Sequence, residues 1–271
     1  MTLPLSAEGE PTVSSSVLSQ PRIVTAAVLV IGNEILSGRT KDANLNYLAT
    51  GLTEIGIRLL EARVVPDIEA TIVANVNDLR ARYDYVFTTG GIGPTHDDIT
   101  SASVAKAFGV RLLRDERAVA LLTRHYGGPE HLTEARLRMA HVPEGAILVD
   151  NPVSAAPGFQ LGNVFVMAGV PRICQAMFDG VKGRLKGGDR VLSATVSAHI
   201  GEGVIAKDLG LLQDRYADLD IGSYPYFRQG RYGASFVLRG TDRSRIDAAA
   251  AELRAIIRQL GAEPIDGEPA E

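Results

Sequence analysis

The sequence predicts a three-layer α/β/α fold with a mostly parallel sheet (an α/β class protein), followed by a second, smaller α+β domain. Two observations support this prediction. Over residues 22–186, short apolar runs alternate with segments of helical periodicity, which is the order expected of a parallel sheet with crossover helices on both faces. Over residues 190–261 the order becomes strand, helix, strand, strand, helix, which indicates a separate βαββα domain.

The first strands and helices follow from the spacing of apolar residues. The longest apolar stretch, residues 25–31, has the length and continuity of a strand buried on both faces. Each later strand is followed by apolar residues spaced three or four apart, which mark one face of a helix. The predicted elements are strand 25–31, a helix with Leu45, Leu48, Leu52 and Ile55 on one face, strand 57–65, a helix with Ile68, Ile72, Val76 and Leu79 on one face, and strand 84–88.

The remaining elements are predicted in the same way. After the glycine-containing loop, a helix is predicted to end at Phe108, and further helix is predicted over 117–139. Strands 146–149 and 164–167 then complete the sheet, and a last helix follows over 172–185. Residues 186–189 are a predicted linker. The second domain is predicted as strand 191–198, a helix with Ile205, Leu209, Leu212 and Tyr216 on one face, strands 220–224 and 233–239, and helix 243–260. Residues 1–21 and the tail 262–271 are expected to be disordered.

Composition excludes several classes of function. The 271 residues carry a net charge of -4, which argues against a nucleic-acid binder because such proteins normally show a basic face. No stretch approaches the roughly 20 apolar residues that a membrane-spanning helix needs, so no membrane association is expected. The single cysteine, Cys174, cannot form an internal disulfide. These features predict a cytoplasmic protein in a reducing environment.

Three loops are expected to form a site at one edge of the sheet. In an open parallel sheet, ligands bind beyond the carboxyl ends of the strands, where the crossover loops meet. The first loop, 32–36, follows the first strand, and the second, 90–98, follows the third strand. A third loop, 151–158, is joined at this edge by residues 168–171. Outside the second loop, the candidate ligand-binding residues are Gly32, Asn33, Glu34, Asn151, Ser154, Pro157, Gly158 and Gly169.

The second loop is a glycine-rich turn that is suited to phosphate. Closely spaced glycines let the backbone approach a ligand and adopt positive φ, and successive amides ahead of a helix form an anion nest. Threonine hydroxyls nearby could add donors. The alternative is a tight strand-to-helix turn that binds nothing. The candidate phosphate-binding residues are Thr89, Gly90, Gly91, Gly93, Pro94, Thr95 and Thr100.

Three aspartates are expected near this turn. Asp97 and Asp98 lie within it, and Asp67 follows the second strand and would reach the same edge. Carboxylates beside a phosphate nest can hold a divalent cation such as Mg²⁺, Mn²⁺ or Co²⁺ against phosphate oxygens, so Asp97 and Asp98 are candidate metal ligands. Capping is the alternative for both, because Thr95 and Asp98 fit the Thr-x-x-Asp spacing of a capping box.

These motifs together resemble the MoaB/Mog-like molybdopterin-binding family, and within it the branch of competence/damage-inducible protein A (CinA). The glycine turn carries the most specific part of the resemblance. The matching segments are 32–36 (Gly-Asn-Glu-Ile-Leu) with Gly38-Arg39 and Asp42-Ala43-Asn44, 88–100 (Thr-Thr-Gly-Gly-Ile-Gly-Pro-Thr-His-Asp-Asp-Ile-Thr), and 151–159 (Asn-Pro-Val-Ser-Ala-Ala-Pro-Gly-Phe).

The resemblance implies a MoaB/Mog-like fold that assembles as dimers or trimers, with molybdopterin as a possible ligand. For the CinA branch it implies metal-dependent hydrolysis of nucleoside diphosphates such as ADP-ribose, and related domains occur in eukaryotic FAD synthases. Catalytic roles implied by the family's motif fall on Asp67 and Asp98. Two departures stand out. Arg172 occupies a position where the family usually has Glu, and the chain lacks the deamidase domain of long CinA proteins, so nicotinamide-nucleotide deamidation is not expected.

Overall fold

A computed structural model describes residues 22–228 and 230–269, so the predicted disorder of residues 1–21 lies outside the described residues. The first half of the described chain forms a six-stranded sheet with helices on both sides. Its elements are β1 (Val24–Ile31), α1 (Asn33–Leu36), α2 (Asn44–Glu54), β2 (Ile57–Val65), α3 (Glu69–Arg82), β3 (Tyr85–Thr89), α4 (Thr100–Phe108), β4 (Leu112–Arg114), α5 (Glu116–Tyr126), α6 (Glu134–Arg138), β5 (His141–Pro143), β6 (Ile147–Val149), β7 (Gly158–Leu161), β8 (Val164–Met167) and α7 (Pro171–Val181).

The strand order of this sheet is β2-β1-β3-β8-β7-β6, and three of its five pairings are parallel. Strand β7 is antiparallel to both β8 and β6, so β6 runs in the same direction as the four parallel strands. The carboxyl ends of β1, β3, β8 and β6 therefore lie at one edge. This arrangement confirms the predicted α/β class and places the three predicted loops at the same edge of the sheet.

Two apolar cores sandwich the sheet. On one side α2 and α7 pack over Phe87, whose ring stacks on Phe165 at 5.2 Å and meets Phe178 edge to face at 5.7 Å. On the other side α3 and α4 pack over Leu29 and Val86. Both faces of the central strands are thus covered, which is the reason that their sequences are apolar without alternation.

The second half of the described chain forms a smaller antiparallel sheet. Its elements are β9 (Leu192–Ala198), α8 (Glu202–Arg215), β10 (Asp220–Arg228), β11 (Arg231–Gly240), α9 (Arg243–Gln259) and β12 (Ile265–Asp266). The strand order is β10-β11-β9-β12, and α8 and α9 bury one face around Phe236. The predicted second α+β domain is therefore present, with one strand more than the βαββα prediction.

The structure corrects the sequence predictions in several places. Residues 117–139 are not one helical stretch, because Gly127 ends α5 with a left-handed φ of 83° and a short 3₁₀ turn precedes α6. The described part of the tail is not disordered, because β12 pairs with β9 and Gly267 donates to the Thr195 carbonyl at 2.9 Å. The short strands β4, β5 and β7 have no counterpart in the predictions. Over the residues that the structure describes, none of the helices is both long and apolar enough to cross a membrane.

Candidate functional site

The loops after β1, β3 and β8 contact each other at the carboxyl edge of the sheet. The Gly90 N–H donates to the Met167 carbonyl at 3.1 Å, which joins the loop after β3 to the end of β8. A Cβ on Gly90 would lie 2.1 Å from the Ile31 carbonyl oxygen, so the backbone after β3 touches the end of β1. Gly169 lies against Gly90 on the other side, where a Cβ would be 3.2 Å from the Gly90 Cα. Only glycine permits this three-way contact.

The glycine turn has the backbone of an anion nest. Gly90 and Gly91 have φ values of 103° and 68°, a region that L-residues with side chains rarely adopt. A Cβ on Gly91 would lie 2.1 Å from Oγ1 of Thr100, and one on Gly93 would lie 2.7 Å from Oδ2 of Asp98. The turn then leads into α4, so its amides precede a helix N-terminus.

Thr100 shapes this turn from within the protein. Its side chain is fully buried, its hydroxyl donates to the Gly90 carbonyl at 3.0 Å, and its N–H donates to the Gly91 carbonyl at 3.0 Å. The hydroxyl that was expected to reach phosphate is therefore directed at the backbone of the nest. Thr100 thus holds the two left-handed glycines in place.

Asp98 and Thr95 form a second brace. Oδ2 of Asp98 accepts hydrogen bonds from the Thr95 N–H at 2.8 Å and from the Thr95 hydroxyl at 2.5 Å. Arg138, at the end of α6, donates to the Thr95 carbonyl at 3.4 Å. One oxygen of the Asp98 carboxylate is therefore engaged within the loop, and Oδ1 remains for other ligands. The predicted capping box is not formed, because α4 begins at Thr100 with Ile99 at its N-cap and no side-chain cap.

Asp97 is the freer of the two adjacent carboxylates. Its side chain is 61% exposed, and Nδ1 of His96 lies 3.9 Å from its Oδ1. The Thr95 hydroxyl is the main cause of the lowered pKa of Asp97, with contributions from its own backbone N–H and from His96. The carboxylate is therefore ionised at neutral pH. Since Thr95 has one hydroxyl proton, it can serve only one of the two carboxylates at a time.

Asp67 holds the first loop in position. Its Oδ2 accepts a hydrogen bond from the Asn33 N–H at 2.9 Å, and the Gly32 N–H donates to the Val65 carbonyl at 3.1 Å. Both bonds attach the start of α1 to the end of β2. Glu34 is exposed, and its carboxylate lies over Gly32, where a Cβ would be 2.5 Å from Oε2. Glu34 is therefore on the surface of the first loop, beside Gly32.

The third loop is organised by Asn151, which is buried. Its Nδ2 donates to Oγ of Ser154 at 2.7 Å and to the Ala156 carbonyl at 2.8 Å, while Oδ1 accepts from the Ser154 N–H at 3.0 Å. These contacts support Ala155 at a φ of 60°. Asn151 and Ser154 thus use their polar atoms within the loop, and Pro157 leads directly into β7. Gly158 is required at the start of β7, because a Cβ would lie 2.2 Å from the Val166 carbonyl oxygen.

A small cavity of about 40 Å³ adjoins the nest on the α2 side. Asn44, the first residue of α2, lines it and was not among the candidate site residues from sequence. Its Nδ2 donates to the Gly169 carbonyl at 2.8 Å, so α2 is tied to the loop after β8. The only sequence signal for this residue was its place in the Asp42-Ala43-Asn44 segment.

Two kinds of chemistry can be assessed from the side chains. Among the described residues, no three His, Cys, Asp or Glu side chains converge on a point where they could hold a metal ion. A divalent ion held by Asp97 and Asp98 would therefore have to take its other ligands from phosphate oxygens and water, as Mg²⁺ commonly does. Cys174 is buried, and burial raises the pKa of its thiol to about 12, so it is not a nucleophile at neutral pH.

Comparison with known families assigns both halves of the chain. Residues 27–187 match a family described as a probable molybdopterin binding domain. Residues 190–264 match the middle domain of FAD synthase. The two matched segments meet at the predicted linker.

Individual relatives agree with these matches. A protein from Pyrobaculum calidifontis is 39% identical over 58% of this chain and 62% of its own length. The probable FAD synthase of Caenorhabditis elegans is 29% identical over 88% of this chain and 50% of its own length. A CinA-like protein from Syntrophus aciditrophicus is 40% identical over 53% of this chain and 36% of its own length. The chain thus spans about a third to three fifths of the length of these curated relatives.

A solved structure supports the fold of the first half. The crystal structure of the protein CinA from Thermoplasma acidophilum, described as of unknown function, is 34% identical in sequence. The structural match covers 60% of this chain and 98% of the Thermoplasma acidophilum chain, with a TM-score of 0.57.

Proposed function

The chain belongs to the family of probable molybdopterin binding domains, and we propose that its glycine nest binds the phosphate of a phosphorylated pterin or nucleotide. The two family matches and the related CinA structure confirm the resemblance that the loop motifs indicated. The family supplies the pterin as a candidate ligand. The FAD synthase middle domain and the similarity to a probable FAD synthase support a nucleotide.

One observation carries the proposal. Gly90 and Gly91 hold left-handed conformations that Thr100 enforces, and a Cβ on either would collide with the protein itself. The Gly90 N–H is bonded to the Met167 carbonyl, so the amides that can bind an anion are those that follow it in the turn. They precede the N-terminus of α4, where the helix dipole favours an anion. The net charge of -4 does not oppose this, because backbone amides provide the binding. The protein is expected to act in the cytoplasm, as a dimer or trimer and without nucleic acid.

The binding proposal is tested by identifying the ligand and then titrating it. Native mass spectrometry of the purified protein should reveal a retained pterin or nucleotide phosphate. Isothermal titration should then show saturable binding of ADP-ribose, FAD or a phosphorylated pterin. Binding of none of these three compounds, together with no retained ligand, would refute the proposal.

A second candidate function is hydrolysis of a dinucleotide pyrophosphate, supported by the ionised Asp97 beside the nest. A divalent cation bound there would neutralise phosphate charge and lower the pKa of a bound water. Asp97 and Asp98 would hold the ion, with Asp67 at the same edge. Asp67 also keeps the first loop against β2 through Asn33. Asp98 holds Thr95 in place through Oδ2, and its Oδ1 would be the atom that binds the ion.

Asparagine substitutions separate hydrolysis from binding. Asp98→Asn keeps an acceptor for Thr95, so the loop should persist, while turnover of ADP-ribose or FAD should fall about 10²-fold or more. Asp67→Asn and Asp97→Asn should also lower turnover, with much smaller changes in substrate affinity. Asp214→Asn, an exposed position on α8, is the control and should change nothing. A parent protein that binds these compounds but hydrolyses neither with Mg²⁺, Mn²⁺ or Co²⁺ would be a binding protein only.

A further inference from the structure

Asn44 has a buried acceptor atom without a partner. The residue is 3% exposed, and its Nδ2 is engaged by the Gly169 carbonyl. Oδ1 is buried and accepts no hydrogen bond from any described residue. Buried polar atoms in folded proteins are nearly always paired, because an unpaired one loses its hydrogen bonds to water without replacement. An unpaired acceptor at a ligand site therefore indicates a group that donates to it.

Thr89 provides a second unpaired group in the same cavity. It is 1% exposed at the end of β3, and its Oγ1 has no partner among the described residues. Thr89 lies opposite Val30 in the sheet register, and Val30 packs in the core beneath α2 and α7. The Thr89 hydroxyl therefore lies on the α2 side of the sheet and lines the cavity with Asn44.

The size and charge of the cavity restrict its occupant. A volume of about 40 Å³ is sufficient for one small polar group such as a hydroxyl or amino group. Besides Asn44, the cavity is lined by two carboxylate residues, Glu34 and Asp42, and by one cation, Lys41, so the formal charge around it is negative by one unit and does not favour an anion. Oδ1 of Asn44 only accepts, whereas the Thr89 hydroxyl can accept or donate. A neutral hydroxyl or amino group of the ligand satisfies both atoms.

We propose that Asn44 and Thr89 form a subsite that binds a hydroxyl or amino group of the ligand whose phosphate occupies the glycine nest. The inference rests on the proposed binding function and adds a selectivity to it. Compounds that consist of phosphate groups alone occupy only the glycine nest, whereas a nucleotide or a phosphorylated pterin occupies the nest and the Asn44–Thr89 subsite. Discrimination among phosphorylated ligands then comes from Thr89 and Asn44.

Thr89→Val is the decisive variant, because it removes the hydroxyl and breaks no hydrogen bond within the described protein. Its matched control is Thr88→Val. Thr88 is the neighbouring residue, is also buried with an unpartnered hydroxyl, and lies opposite Leu29, which packs in the core on the other side of the sheet. Isothermal titration with ADP and with inorganic pyrophosphate gives the readout. Thr89→Val should weaken ADP binding about tenfold and leave pyrophosphate binding unchanged. Thr88→Val should alter neither.

Analogues of ADP identify which ligand group is bound. If a sugar hydroxyl enters the subsite, 2′-deoxy-ADP or 3′-deoxy-ADP should bind the parent about tenfold more weakly than ADP, and the difference should vanish in Thr89→Val. If the amino group of the adenine base enters the subsite, inosine diphosphate, which lacks that group, should bind the parent about tenfold more weakly than ADP. Asn44→Ala should weaken ADP more than pyrophosphate, whereas a role limited to bracing Gly169 would weaken both equally.

The outcomes distinguish the subsite from the site as a whole. ADP and pyrophosphate binding that Thr89→Val leaves unchanged, with no preference among the analogues, would overturn the subsite and leave the nest intact. A parent that binds neither ADP nor pyrophosphate, nor any ligand named for the binding proposal, would overturn the proposed function and the subsite with it.

Discussion

Gly91 and Gly109 have nearly the same backbone conformation, with φ values of 68° and 67°, but different surroundings. A Cβ on Gly91 would meet Thr100, whereas one on Gly109 would meet nothing within 4 Å. Gly109→Ala should cost about 1 kcal/mol of stability, because left-handed backbone is strained for alanine. Gly91→Ala should cost more, because its Cβ also collides with Thr100. Only Gly91→Ala should also lose ligand binding, since the Thr100 brace must move.

Titration of each variant with ADP-ribose, together with urea unfolding, measures both effects. Gly109 ends α4 far from the nest in the chain, so Gly109→Ala separates backbone strain from damage to the site. Equal ligand affinity in the two variants would show that the turn does not bind the ligand.

At the scale of an element, α5 depends on its N-cap. The Asp115 carboxylate accepts from the Arg117 N–H at 2.8 Å and the Ala118 N–H at 3.3 Å, and it pairs with the Arg117 guanidinium at 2.6 Å. The Arg117 side chain is the main cause of the lowered pKa of Asp115, and the two backbone N–H groups contribute. Asp115→Ala should therefore destabilise the protein by about 1 kcal/mol at neutral pH.

The pH dependence of this loss has a definite sign. Because the folded pKa of Asp115 is below its unfolded value of about 3.9, the stabilisation is fully present above pH ~4. It is lost as the pH falls through the folded pKa, where the carboxyl becomes protonated in both states. Urea unfolding of Asp115→Ala and of the control Glu116→Ala, which alters the same helical turn without removing the cap, should show this. A difference between parent and Asp115→Ala that persists unchanged at pH 2 would contradict the assignment.

At the scale of the whole molecule, the ligand site belongs to the first of two sheets that have separate cores. Phe87 lies in the core under α2 and α7, whereas Phe236 lies in the core of the second sheet. A ligand at 100 times its Kd should stabilise the first domain by about 2.7 kcal/mol. Hydrogen exchange should therefore slow in β1, β3 and α4 on adding ADP-ribose, with much smaller changes in β9 to β11.

Core substitutions provide the matched controls for that experiment. Phe87→Ala and Phe236→Ala each remove a fully buried ring and should cost about 3–5 kcal/mol. ADP-ribose should offset the loss of stability caused by Phe87→Ala but not the loss caused by Phe236→Ala. Equal protection of both sheets by ADP-ribose would show instead that the two domains unfold as one unit.

The sequence by itself determined most of the longer elements and the position of the glycine turn, because both depend on local order. Buried strands and amphipathic helices follow from the period of their apolar residues, so β2 is predicted with the bounds it has in the structure. Glycines in a turn after a strand are likewise a local signal. Gly90, Gly91 and Gly93 were recognisable because close backbone approach leaves few other residues that fit.

Only the tertiary structure decided where the polar groups point and which distant residues meet. The pairing of β12 with β9 depends on residues far along the chain, and so does the contact between Asn44 and Gly169. Three threonines of similar sequence context have different surroundings: Thr100 braces Gly90, Thr95 braces Asp98, and Thr89 faces the cavity beside Asn44. Those differences follow from side-chain burial and long-range hydrogen bonding, which no local periodicity encodes.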